Sequence, residues 1–322
     1  MPLTLSCAFA TSNQSHEHAV VAEQLGYQRA WFYDSPALYP DVWVQLCRAA
    51  ERTNRIGLGP AVLVPNLRHP MTNAAAIATL ADLAGAERVA VTIGSGFTGR
   101  LTLGQRPLPW AYVREYVATL RGLLGGEQVQ WEGKTIEMMH PPGFGAPRPL
   151  NIPILLAAAG PKGTKAAKEL GDGIFTMQPE GGDFAWNPVL VMGTVLDEGE
   201  SPGSERAISA AGHGASVGLH FALEYGRADT LPGGAQWAAV YAAVPESERH
   251  LALHDQHLIA VNERDKPFVT GELLQSQGLA LDGSAWRDRL AAMEAGGATE
   301  VAYQPAGNDI PRELEAFATL LT

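Results

Sequence analysis

Lysine is scarce in this chain, 5 residues against 18 arginines, and 34 acidic side chains outnumber the 23 basic ones for a net charge of −11. No basic tail or stripe is present, so nucleic acid is not an expected partner. Cysteine is scarcer still. Cys7 and Cys47 sit in no CxxC and beside no metal-ligand spacing, and both are expected as buried free thiols. Long apolar runs are also missing. The longest uncharged stretches, 207–223 and 230–245, are broken by Gly, Pro, His and Trp, unlike the continuous span of about 20 residues that a membrane helix needs. The first residues, MPLTLSCAFA, carry no basic side chain ahead of the apolar ones and do not fit a secretory signal. A cytoplasmic protein with no membrane partner is expected. What remains is 46% apolar and 18% charged over 322 residues, the composition of a folded globular chain with a sizeable core.

Short β-branched runs alternate with amphipathic stretches along most of the length. Strands are expected over 3–9, 29–33, 56–64, 88–93, 152–158, 173–177 and 300–303. A first helix is expected to be N-capped by Ser15 and to close at Gly26, and a second to be opened by Asp41. Val42, Leu46, Ala49 and Ala50 then follow the i, i+4, i+7, i+8 rule. Further helices are expected over 70–83, 109–124, 160–170, 284–295 and 311–320, and VQWEGKTIEM reads as a small hairpin turning at Glu132-Gly133. Between 179 and 264 the periodicity fades, and an elaborated region with a strand near 216–221 is expected. About eight βα units in one domain, 1–322, with excursions near 125–148 and 179–264, fit an α/β fold, a (β/α)8 TIM barrel. The glycine fingerprint of a dinucleotide fold is absent after the first strand, and so is a GxxxxGK[ST] phosphate loop.

A parallel barrel carries its chemistry on the loops after its strands. Strand two ends in Asp34-Ser35, strand three in LVPNLRHP, strand four in GSGFTG, strand five in AAAGPKG and strand six in Thr176-Met177. The small residues of AAAGPKG admit a ligand close to the backbone, and the helix beginning there points free amides and its positive end outward, which makes an anion site. Lys162 lies beside that turn, whereas Lys165 and Lys168 also read as solvating the helix. Asp34 at the barrel mouth can accept a proton or hydrogen-bond a ring, or can simply form a turn before Ser35-Pro36. His250, His254 and His257 are spaced i, i+4, i+7 and would share a helix face. No HExxH and no companion ligand cluster accompany them, so no metal site is assigned, and one of them is a candidate for lining a substrate pocket. A hydrolase triad is disfavoured because no G-x-S-x-G follows a strand.

Together IGLGPAVLVPNLRHP, RVAVTIGSG, IPILLAAAGPKGTKAAKELGDGIFT and GGATEVAYQPAGNDIPRELEAFA resemble the bacterial luciferase-like superfamily. Within it they are most similar to the deazaflavin-dependent group that includes methylenetetrahydromethanopterin reductase. The resemblance covers nearly the whole chain and is weakest from about 180 to 250. It implies a barrel, usually a homodimer, that binds coenzyme F420 or FMN at the carboxyl ends of the strands. It also implies a bulged third strand with a non-prolyl cis peptide at Ala61-Val62 behind the ring, with Val64, Ser95 and Gly96 flanking it. Ala158, Ala159, Gly160, Pro161 and Lys162 match the segment that holds the cofactor phosphate, with Thr176 and Met177 nearby. Two departures stand out. Many members of the group carry Asp-His where this chain has Asp34-Ser35, and an acidic residue where it has Phe97. A small-molecule hydride transfer on coenzyme F420 is the leading expectation, with Asp34 and His257 as candidate catalytic groups. The alternatives are an FMN-dependent monooxygenase fed by a separate reductase and a cofactor-binding protein without turnover.

Overall fold

The computed structural model describes residues 3–179 and 184–321. The unit expected over 1–322 and the excursion expected over 179–264 include residues 1–2, 180–183 and 322, which lie outside the described residues. The chain begins β1 (Thr4–Phe9), α1 (Ser15–Gln24), β2 (Arg29–Phe32), α2 (Val42–Ala50), β3 (Gly57–Leu63), α3 (Pro70–Ala84) and β4 (Val91–Gly94). It continues through α4 (Phe97–Leu101), α5 (Trp110–Gly125), the hairpin β5 (Val129–Trp131) and β6 (Lys134–Ile136), β7 (Ile154–Ala157), α6 (Gly160–Leu170) and β8 (Gly173–Phe175). Next come β9 (Pro188–Met192), β10 (Thr194–Val195), α7 (Glu205–Glu224), α8 (Gly234–Ala242), α9 (Glu246–Leu253) and α10 (Gly271–Ser276). Then β11 (Ala280–Leu281), α11 (Gly283–Ala295), β12 (Glu300–Gln304) and α12 (Ile310–Ala318) follow.

Eight strands pair side by side in the order β8-β7-β4-β3-β2-β1-β12-β9, every pair parallel. The two ends of that sheet meet. The Thr176 amide donates to Pro188 O at 2.9 Å and the Leu190 amide to Thr176 O at 2.8 Å, so the sheet closes into a (β/α)8 barrel. Strands such as β4 and β12 are buried along their full length, as a parallel sheet covered by helices requires. The hairpin turns where expected, with Glu132 and Gly133 at φ 50° and 72°. Asp41 caps α2 through the amides of Trp43 and Val44. Among the described residues no helix is long and apolar enough to cross a membrane.

Four readings of the sequence are corrected. The seventh barrel strand is β9 at Pro188–Met192, inside the stretch taken as elaborated, and 216–221 lies within the 20-residue helix α7 instead of forming a strand. The Ser204 hydroxyl caps that helix at the Ala207 amide, 3.0 Å away. Its glycines let neighbours approach: a Cβ at Gly212 would meet Val261 Cγ2 at 2.5 Å and one at Gly218 would meet the Gln277 side chain. Close packing thus outweighs the low helix propensity of glycine. The third correction concerns α1, which starts at Ser15 itself. Gln14 holds the cap position without a side-chain bond, and Ser15 Oγ instead accepts from the Ser12 amide at 2.8 Å. Finally, Cys7 is buried and donates to Arg29 O, but Cys47 is only half-buried.

Inside the barrel, Glu300, the first residue of β12, accepts from the indoles of Trp31 at 2.9 Å and Trp186 at 2.7 Å. The Arg29 guanidinium lies over both rings, 5.2 and 5.1 Å from their centroids. A carboxylate offers two acceptors to two donors, an arrangement no amide reproduces. Glu300→Gln should therefore turn an NH2 toward one indole N–H and lower stability by about 1–3 kcal/mol, read as a shifted midpoint in urea denaturation.

Candidate functional site

Because β2, β3, β4, β7 and β8 are consecutive neighbours in the sheet, the loops after them form one continuous arc. Four strand spacings make it about 19 Å long measured along the sheet. Asp34 follows β2, Ala61 and Val62 lie in β3 with Val64 just beyond, and Ser95 and Gly96 follow β4. Ala158 to Lys162 follow β7, and Thr176 and Met177 follow β8. The peptide Ala61-Val62 is cis, and the β3–β4 register shifts between Ala61 and Leu63. The bulged, cis-bonded third strand that the resemblance implied is therefore present.

The arc is kept shallow by missing side chains. A Cβ on Gly94 would stand 3.0 Å from Val62 Cγ2 and 3.4 Å from Ala157 Cβ, joining the ends of β3, β4 and β7. Gly96 has φ +89°, and a Cβ there would reach Val64 Cγ1 at 2.5 Å. Gly99 packs toward Val64 Cγ2 and Ser35 Oγ, which brings the loops after β2, β3 and β4 into contact. At the far end of the arc α6 begins with no side-chain cap at Ala159 and with Pro161 in its first turn. The amides of Gly160 and Lys162 have no acceptor within the helix, and Ala159, Gly160, Pro161 and Lys162 are exposed. An open depression of about 500 Å³ adjoins this end, lined by Gly160, Pro161, Thr164, Lys165, Lys168 and Glu169. Lys165 pairs with Glu169 at 3.8 Å, and Lys168 lies over the Phe184 ring at 5.7 Å. These two lysines thus have partners on their own side of the helix. Thr176 has a structural duty as well, because its peptide closes the barrel and its hydroxyl donates to Asn187 Oδ1 at 3.1 Å.

Asp34 is 4% exposed, and its carboxylate is taken by the guanidinium of Arg68, from the NLRHP segment after β3. The other arm of that guanidinium donates to Asp41 Oδ2 at 2.8 Å. Tyr116 fixes the Arg68 backbone through its hydroxyl, 3.1 Å from Arg68 O, and Asn73 donates to Tyr116 in turn. Burial pushes the Asp34 carboxyl above its usual range against the lowering pull of Arg68. Burial also acts on Asp41, but there Arg68 and the amides of Val44 and Trp43 prevail and hold it low.

His257 reaches the mouth from the insertion between β10 and β11. Its carbonyl accepts from Tyr39 at 3.0 Å, Gln304 Nε2 donates to the neighbouring Leu258 O at 2.7 Å, and its Nε2 lies 3.4 Å from Thr98 Oγ1. Residues after β2 and β4 and at the end of β12 therefore hold it. The single helix face expected for His250, His254 and His257 does not exist, because α9 ends at Leu253. His250 stays apart near Gly104, while His254 and His257 turn inward to meet His220 of α7. Burial lowers all three of these clustered imidazoles, His220 to about 3, so they are neutral at pH 7. Sequence reasoning missed Arg68, Tyr39, Gln304 and His220. Arg68 was within the strand-end motif already singled out, but His220, 34 residues before His254, gave no local signal.

Comparison with known proteins agrees with this geometry. The sequence profile of the family described as Luciferase-like monooxygenase matches residues 10–189. The chain is 32% identical over 194 residues to the F420-dependent glucose-6-phosphate dehydrogenase of Beutenbergia cavernae, covering 54% of this chain and 55% of that one. It is 29% identical over 175 residues to the 5,10-methylenetetrahydromethanopterin reductase of Methanolobus tindarius, covering 52% and 51%. The match spans about half the length of these curated relatives. Among solved structures, the coenzyme F420-dependent tetrahydromethanopterin reductase from Methanopyrus kandleri superposes with a TM-score of 0.65 at 19% identity, over 99% of this chain and 98% of that one. An F420-dependent secondary alcohol dehydrogenase in complex with an F420-acetone adduct gives the same TM-score at 16% identity, again over 99% and 98%. At these identities the superpositions establish the fold.

The Asp34–Arg68 pair makes a direct test possible. Arg68→Met leaves a buried carboxylate without its counter-charge and should cost about 3–5 kcal/mol at pH 7. Without Arg68 the Asp34 pKa rises further, so the variant gains protons on Asp34 at higher pH than the unfolded chain does. The deficit against wild type should therefore shrink as pH falls through that raised value and grow as pH rises, measured by urea denaturation of both proteins from about pH 4 to about pH 8.

Proposed function

Because the chain belongs to the luciferase-like monooxygenase family, we propose that it is a coenzyme F420-dependent oxidoreductase acting on a small organic substrate held over the cofactor ring. The observation that carries this reading is the continuous arc of small residues from the kinked β3 to the uncapped start of α6. Its two ends differ in chemistry as such a cofactor requires. One is an apolar, glycine-lined shelf suited to a flat ring, and the other is a helix N-terminus suited to a phosphate. When bound, the deazaflavin supplies a hydride donor or acceptor at its carbon 5.

The chain's own residues bind and orient. The backbone at Ala61-Val62 backs the ring, Val64, Ser95 and Gly96 flank it, and Ala158 gives the passage toward the phosphate. The amides of Gly160 and Lys162, with the Lys162 ammonium, take the phosphate charge, beside Ala159, Pro161 and Met177. Thr176 shapes the same wall from the barrel seam. Asp34, committed to Arg68, sets the shape of the mouth and takes part in proton handling only through that pair. His257 is a neutral imidazole with one N–H, fit to hydrogen-bond a substrate oxygen. It stands in for the Asp-His and acidic residues that this chain replaces by Ser35 and Phe97. The same reading takes the chain as one catalytic unit, a homodimer in the cytoplasm.

Titration of the purified protein with oxidised coenzyme F420 and, in parallel, with FMN, followed by fluorescence, tests this function. Micromolar or tighter binding of the deazaflavin alone is expected. Lys162→Ala should weaken it about tenfold, or about 1.4 kcal/mol, with a loss that diminishes at high salt. Lys165→Ala and Lys168→Ala, whose ammonium groups already face Glu169 and the Phe184 ring, should stay within about twofold. Binding of FMN alone would move the protein to flavin-dependent oxygenation, and binding of neither would overturn the proposal.

A further inference from the structure

Three imidazoles from two parts of the insertion meet in the interior beside the barrel mouth. His220 comes from the last turns of α7, His254 caps the end of α9, and His257 follows in the next turn. Their ring centroids lie 4.7, 5.0 and 5.4 Å apart, and one nitrogen from each falls within 4.8 Å of the other two. All three are at most 7% exposed. Both nitrogens of His220 and Nε2 of His254 are buried with no hydrogen-bond partner. Burying such groups unsatisfied costs about 1–3 kcal/mol each, and one orphaned nitrogen of His220, the orphaned Nε2 of His254 and one nitrogen of His257 lie close enough together to share a partner.

The backbone and the outer contacts suit a ligand role. His254 Nδ1 lies 2.6 Å from the carbonyl of His250, which places its proton on Nδ1 and leaves a lone pair on the orphaned Nε2. Gln256 and Leu258, on either side of His257, adopt φ +58° and +63°. With Tyr39 and Gln304 holding the backbone, these two left-handed residues turn the His257 ring inward toward His220 and His254. Glu224 Oε1 lies 3.7 Å from His220 Nε2 and supplies a compensating negative charge. His213, two turns earlier on α7, is buried and unpartnered too but lies outside this group.

We propose that His220, His254 and His257 form a binding site for one divalent transition-metal ion, with zinc as its expected occupant. Three neutral imidazoles with an open fourth position are a donor set that zinc accepts, and imidazole suits cobalt and nickel as well. Tetrahedral bonds of about 2.0–2.1 Å set the nitrogens about 3.3 Å apart, so from within 4.8 Å of one another they draw together by up to about 1.5 Å on binding. The ion takes the lone pair of one nitrogen each from His220, His254 and His257 and pins the 254–258 turn to α7. Coordination through one nitrogen of His257 leaves the other free for the mouth, and the proposal stands whichever redox cofactor the barrel binds.

The test uses the whole protein, stripped with a chelator and re-equilibrated with zinc before unbound ion is removed. Metal analysis should find about one zinc per chain, together with a higher melting temperature. His220→Gln and His254→Gln should each lose at least nine-tenths of that zinc, and His250→Gln should retain it, since only the His250 carbonyl serves the site. Cobalt added to the stripped wild-type protein should give the intense visible bands of a low-symmetry nitrogen site. That measurement decides the matter even if a variant fails to fold. Zinc content no higher than in His254→Gln, or a weak octahedral cobalt spectrum, would overturn the assignment and leave the histidines to buried water.

Discussion

Thr176 gives its amide to Pro188 and takes the amide of Leu190, and through those two hydrogen bonds a parallel sheet becomes a ring. Everything at the mouth depends on that closure. In the closed ring the carboxyl ends of β2, β3, β4, β7 and β8 face one side together, and the loops after β4 and β7 become neighbours although α4, α5 and the β5–β6 hairpin lie between them in the chain. The seam also explains why Thr176 and Asn187 are buried although both are polar: each has the other as a partner across the join.

The mouth is organised by charge held away from water. Arg68 is shared between Asp34 and Asp41, with Tyr116 and Asn73 behind it, so the loops after β2 and β3 are tied by one guanidinium. Its fork geometry suits two carboxylates at once, which a lysine cannot match. From that same loop after β2, Tyr39 joins Gln304 at the end of β12 in holding the 257–258 backbone. These contacts give the shelf of small residues a fixed rim, and on the proposed reading that rim orients a flat cofactor ring.

Much of this architecture is legible in the sequence. The alternation of apolar runs with amphipathic stretches announced the barrel, and the small residues at strand ends, GSG and AAAGPKG, marked the arc. Asp41 capped its helix as its chemistry demands, and the Glu132-Gly133 turn fell where two left-handed residues were available. The strand expected over 216–221 failed for a specific reason. SVGLHF carries β-branched and aromatic residues at strand-like spacing, but Gly212, Gly214 and Gly218 make a flat face against which Val261, Leu279 and Gln277 pack, and that contact selects a helix.

The histidines draw the same boundary most clearly. Their spacing in ERHLALHDQH pointed to a helix face, a local inference that assumes the helix continues. It stops at Leu253, and the left-handed turns at Gln256 and Leu258 carry His257 inward. By itself the sequence determined the period of the regular βα units, the residue types at each strand end and the cap at Asp41, because these depend on neighbours a few residues away. The tertiary structure alone decided which strand ends adjoin, that Arg68 engages Asp34, and that His220 and not His250 joins His254 and His257. Those outcomes depend on barrel closure and on the packing of α7, which bring together side chains whose separation along the chain carries no trace of their meeting.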